Sequence, residues 1–118
     1  MISGNEAIDQ IEREFSGISR ELRENDGLLH IQTAEFSHLV QGFIDSGNSA
    51  EFGRACDLFV RLFLSASPEL ENALNVSFLE HLYFIDDEVN RSWAYAAMPP
   101  PMRKAWDAME EYNDRLHP

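Results

Sequence analysis

The chain predicts an all-α fold, and three observations carry that prediction. Apolar residues recur at alternating spacings of three and four along most of its length. Helix stop and start signals separate these runs. No stretch alternates apolar and polar residues with period two, and no hairpin dipeptide sits between apolar runs. At 118 residues, with 44% hydrophobic and 11% aromatic content, the chain is long enough to bury one real core and reads as one domain spanning residues 1–118. The expected architecture is a single compact helical domain of five or six helices joined by short links, its central pairs forming antiparallel helical hairpins. No repeat of fixed period suggests a solenoid.

Each element has its own warrant. Ser3 and Glu6 fit a capping box, in which each side chain satisfies a free backbone N–H of the first turn. Ile8, Ile11, Phe15, Ile18 and Leu22 then form one apolar stripe, and Asn25-Asp26-Gly27 stops it, Gly27 being suited to a left-handed helix end. "LLHIQ" is ambiguous between a link and an early turn. Thr33 is read as the N-cap of a second helix carrying Phe36, Leu39, Val40, Phe43 and Ile44. "DSGNS" supplies a stop at Gly47 and a start at Ser49. A third helix over 50–64 aligns Phe52, Cys56, Phe59 and Phe63. Ser67 then caps a fourth helix whose first position, Pro68, needs no N–H, and which continues through Leu70, Leu74, Phe78, Leu79 and Leu82. Val89 to Ala97 forms a short helix bearing Trp93. Beyond the proline break at 99–101, Met102, Trp106, Met109 and Leu116 mark a terminal helix.

Charge narrows the function classes. Twenty-one acidic residues against nine basic give a formal net charge of −12, which repels nucleic-acid phosphates and anionic membrane surfaces and attracts cationic partners. Neither nucleic acid nor membrane is therefore expected as a partner. The single cysteine, Cys56, excludes an internal disulfide framework and a cysteine-rich zinc site. The first residues carry no basic flank or apolar run of a signal peptide, and no window is apolar enough to cross a bilayer. A cytoplasmic location is the simplest expectation.

Catalytic chemistry finds little to work with, and neither a cofactor nor a metal is expected. Glu35 and His38 have the E-x-x-H spacing that di-iron bundles use, but such a site needs the motif twice, and the residue three before His81 is Phe78. Glu80 and His81 are neighbours, so on a helix they diverge by about 100° and do not serve one reacting atom. Cys56 falls among phenylalanines, where burial raises a thiol's pKa and makes it inert. No P-loop, dinucleotide fingerprint or nucleophile elbow occurs.

What remains is a surface. In "VSFLEHLYFIDDEVN", residues 76–90, three carboxylates follow one another at Asp86, Asp87 and Glu88. At the end of a helix the macrodipole would oppose them, so Asp86 or Asp87 is better placed as the N-cap of the next helix. Trp93 and Tyr95 follow closely, and aromatics beside charges suit either a binding hot spot or the core. Glu80, Asp86, Asp87, Glu88 and Trp93 are the candidate partner-binding residues.

The order of elements is also familiar. A helical pair turns at "GNSAEF" (47–52), an apolar helix follows, and then come "SPELENALNVSFLEHL" (67–82) and a late Trp-bearing helix. With "FSHLVQGFIDSGN" (36–48), this pattern over residues 28–110 resembles small acidic all-helical immunity proteins encoded beside bacterial polymorphic toxins. The resemblance implies a protein with no chemistry of its own, which neutralises one cognate toxin by stoichiometric binding, the toxin presenting a basic surface. Two rival readings are a helical adaptor or regulatory domain and, less economically, a metal-dependent enzyme. The heptad-like first helix leaves a homodimer open.

Overall fold

The computed structural model describes residues 1–84 and 91–116, and within them the chain is helical, with no strand. Among the described residues seven α-helices stand where five or six were expected: α1 (Gly4–Glu14), α2 (Ser19–Glu24), α3 (Leu29–Ser46), α4 (Ser49–Leu64), α5 (Pro68–Ala73), α6 (Ser92–Ala97) and α7 (Pro100–Leu116). The Cα radius of gyration is 13.7 Å, against about 13.5 Å expected for a compact chain of this length.

The extra helix comes from the first segment, whose apolar stripe is not one continuous helix. The Ser3–Glu6 capping box forms as expected. At Phe15 the backbone leaves the helix (φ −130°, ψ 67°) and passes through a 3₁₀ turn, Ser16–Ile18, before α2 begins. Ser16 and Gly17 are poor helix formers that allow the break. Tertiary contacts then fix it. The Arg54 guanidinium lies 4.9 Å from the Phe15 ring centre, donates to the Glu14 carbonyl at 2.9 Å and pairs with Glu51. The stripe still points inward, because Ile8, Ile11, Phe15 and Leu22 are all buried.

The second expected helix starts a full turn earlier than Thr33. Gly27 adopts φ +80°, turning the chain so that α3 begins at Leu29. The Thr33 hydroxyl donates back to the Leu29 and His30 carbonyls, at 3.0 and 3.1 Å, so it lies inside the helix and is not its cap. The buried Gln32 amide instead donates to the Leu22 carbonyl at 2.9 Å, tying α3 to the end of α2. Gly47 closes α3 at φ +71°, as the sequence signalled. The cap of α4 is Asn48, whose side chain accepts from the Glu51 N–H, and Ser49 is already helical.

Helix α3 lies at the centre and packs against α1, α2, α4 and α5. The core is aromatic along one line: Phe36 stacks on Phe78 (centroids 4.9 Å apart), Phe78 on Phe59 (5.2 Å) and Phe59 on Phe63 (5.2 Å). Phe36, Phe59 and Phe78 are fully buried. Ser67 and Pro68 start α5 as expected. Beyond Ala73, however, the regular helix gives way to a π turn, Leu74–Phe78, and a 3₁₀ turn, Leu79–His81. Side chains of α3 hold this irregular stretch. The Ser37 hydroxyl donates to the Phe78 carbonyl at 2.8 Å, and His30 Nδ1 lies 2.7 Å from the Ser77 hydroxyl.

The expected short helix begins at Ser92, and the expected N-cap at Asp86 or Asp87 lies outside the described residues. The proline run is itself the start of α7, since Pro100 and Pro101 occupy first-turn positions where no N–H is required. Arg103 of α7 donates to the Ala96 and Met98 carbonyls, at 2.8 and 3.0 Å, and so satisfies the end of α6.

Candidate functional site

The residues on either side of the acidic stretch are held on α3, one helical turn apart. The Tyr83 backbone N–H donates to the Gln41 side-chain oxygen (2.9 Å) while the Gln41 amide donates to the Tyr83 carbonyl (3.1 Å). Four residues along α3, Asp45 accepts from Arg91 at 2.7 Å and from Gln41 at 3.0 Å. Phe84 is buried and meets Trp106 (5.2 Å, 88°) and Tyr95 (6.0 Å, 72°) edge to face, while Tyr95 and Trp106 meet at 5.7 Å. The Tyr95 hydroxyl donates to Asp107 at 2.8 Å, and this hydrogen bond to a carboxylate is the main reason its pKa is raised.

Of the five partner-binding candidates, Asp86, Asp87 and Glu88 lie outside the described residues. Glu80 is exposed on the 3₁₀ turn. Trp93 is half-buried and packs edge-on against Phe52 of α4, at 5.5 Å and 77°. Glu80 shares its surroundings with Phe63, also of α4. Since Phe52 and Phe63 are about three turns apart on that helix, the structure does not bring Glu80 and Trp93 together.

Glu80 lines a groove of about 560 Å³ between the π turn and α7, floored by Phe63. One wall carries Asn72, Asn75 and Val76; the other carries Ala105, Ala108, Met109, Tyr112 and Asn113. Val76 is 45% exposed and Tyr112 58%. Sequence reasoning missed this groove. Its one early signal was the continuation of the Met102–Met109 spacing to Tyr112 and Leu116, which leaves apolar residues on α7 beyond what the core covers.

The groups suited to chemistry are dispersed. Glu35 is half-buried and His38 exposed, and among the described residues no three His, Cys, Asp or Glu side chains converge as metal ligands would. Cys56 is 1% exposed, and burial, with a smaller contribution from the neighbouring Asp57, pushes its thiol up to about 12. Native-state alkylation at pH 8 is therefore expected to proceed only as fast as the protein unfolds. Because the folded thiol titrates above the unfolded one, its contribution to stability is intact below about pH 9 and fades as pH rises towards 12. Rapid labelling of folded protein with iodoacetamide would contradict this.

Basic side chains are largely engaged within the protein. Six of the nine in the chain form ion pairs among the described residues: Arg20–Glu24, Arg23–Glu12, Arg54–Glu51, Arg61–Glu14, Arg91–Asp45 and Arg115–Glu111. Many carboxylates stand exposed, including Asp9, Asp57, Glu69, Glu71 and Glu80.

These features define an all-helical, strongly acidic protein with aromatic packing and an amide-lined surface groove. Residues 7–114 match the model of a family described as a domain of unknown function, DUF7674, and the chain belongs to that family. No curated protein and no solved structure matches it. No helix among the described residues is long and apolar enough to cross a membrane.

Proposed function

We propose that this protein works by stoichiometric binding, as an immunity protein that neutralises a cognate bacterial toxin with a basic surface. The observation that carries this reading is the charge arrangement. Most arginines are engaged in internal pairs, so the net −12 is presented by exposed carboxylates with few free cations among them. Such a surface accelerates encounter with a cationic partner and orients it. The exposed aromatics Tyr83 (65%) and Tyr112 (58%) supply anchors that slow dissociation once docked. The acidic stretch Asp86–Glu88, together with Glu80, is the proposed point of first contact, and the flanking residues Tyr83 and Arg91 are bonded to Gln41 and Asp45 of α3.

The test is to express each neighbouring open reading frame alone and together with this chain. One product is expected to be toxic alone, harmless in its company, and recovered with it in equal amounts. Its association rate is expected to fall by about tenfold or more between low and high salt, since screening acts first on steering. Reversal of Asp86, Asp87 and Glu88 to Lys is expected to weaken the complex. Full protection by that variant would remove the stretch from the contact, and lack of protection by wild type would remove the immunity reading.

A further inference from the structure

The groove between the π turn and α7 has a chemistry that negative charge alone does not explain. We propose that it seats an extended, lysine- or arginine-bearing segment of the partner protein, an assignment that rests on the binding reading above. The first reason is its asparagines. The amides of Asn72 and Asn75 bond to no other described residue, and the Asn113 amide donates at 3.2 Å to the Met109 sulfur, a weak acceptor. A helical ligand satisfies its own backbone and gives three amides little to do. An extended segment exposes an N–H and a C=O at every residue, and an asparagine amide offers the matching acceptor and donor.

The second reason is the floor. Phe63 at the base, with Val76, Met109 and Tyr112 on the walls above it, gives an apolar surface among the amides. The side chains of an extended segment alternate in direction, so one can enter this floor while its neighbours point outward. The third reason is charge. Among the described residues, Glu80 is the one carboxylate lining the groove, and no cation lines it. A second copy of the chain would bring another net −12 and be repelled, whereas lysine or arginine is drawn in. The volume, about 560 Å³, lies in the ordinary range of ligand clefts.

The test uses a fluorescein-labelled, end-capped peptide of about ten residues, alternating Lys with Leu and Ser, titrated by anisotropy against the full chain. It is expected to bind about tenfold or more tightly than the same peptide with Glu for Lys. It is also expected to lose about tenfold when alternate backbone amides are N-methylated, which keeps charge and side chains but removes donors. Asn72→Ala with Asn75→Ala, and separately Tyr112→Ser, should each weaken binding by about tenfold, while Asp57→Asn on the exposed face of α4 should not. All four positions are at least partly exposed, so the variants are expected to fold. Equal binding of the N-methylated peptide, equal binding by the groove variants, or no binding by wild type overturns the proposal. Self-association abolished by Tyr112→Ser overturns it too, since the occupant is then a second copy. Undiminished toxin protection by Tyr112→Ser removes the groove and leaves the immunity reading standing. Failure of wild type to protect removes that reading while the peptide titration still decides the groove.

Discussion

Replacing Phe78 by Ala is expected to lower the unfolding free energy by about 3–5 kcal/mol, the range for truncating a fully buried aromatic. Phe78 sits between Phe36 and Phe59, with ring centres 4.9 and 5.2 Å away. Its truncation therefore opens a cavity and removes two ring contacts worth about 0.5–1.5 kcal/mol each beyond the burial itself. The site has little means to collapse. Phe36 is fixed on α3 and Phe59 on α4, while the Phe78 carbonyl is held by Ser37. Against a typical total of about 5–15 kcal/mol, this loss is at least about a fifth of the whole. Urea denaturation followed by circular dichroism measures it. A loss under about 1 kcal/mol would mean that the three-ring stack does not hold the domain together.

A comparable loss, also about 3–5 kcal/mol, is expected for Phe84→Ala, with a different local signature. Phe84 is the last described residue before the acidic stretch and is 1% exposed. Its ring meets Trp106 and Tyr95 edge to face, joining α6 and α7 to the segment that Gln41 clasps at Tyr83. Truncation should change the Trp106 fluorescence and loosen α6 and α7 before the α3–α4 core melts. Hydrogen exchange would show this as faster exchange in residues 92–116 with α3 still protected. If exchange rises evenly across the chain, Phe84 belongs to the same cooperative unit as Phe78. If partner binding also weakens, the clasped segment and its neighbouring charges act together.

How much of this was legible in the sequence depended on how local the cause was. The Ser3–Glu6 box, the left-handed turns at Gly27 and Gly47, and the Ser67-Pro68 start are decided within four residues, and each stands where the sequence placed it. The break at Phe15 was hidden, because the apolar stripe runs straight through it and the groups that fix it, Arg54 and Glu51, lie some forty residues away. Thr33 has the composition of a cap but uses its hydroxyl within the helix, since Gln32 and Gly27 set the start of α3 upstream. The π turn after Ala73 follows from Ser37 and His30 on a different helix, and apolar spacing carries no mark of that. The candidate site divides in the same way. Charge and the acidic stretch are visible in the sequence, as is the aromatic character of Trp93. Only folding shows that Trp93 packs against Phe52, and only folding sets Asn72 and Asn75 opposite Tyr112 and Asn113.

The most direct measurement is isothermal titration of the purified protein, at low and at high salt, with whichever neighbouring gene product proves toxic when expressed alone, as the proposed function expects of one. One molecule should take up one molecule, with affinity dropping as salt rises and the partner's activity disappearing in step with occupancy. Inhibition at far below equal amounts, or heat from catalytic turnover with no saturable complex, would contradict an account in which this acidic helical protein acts by binding.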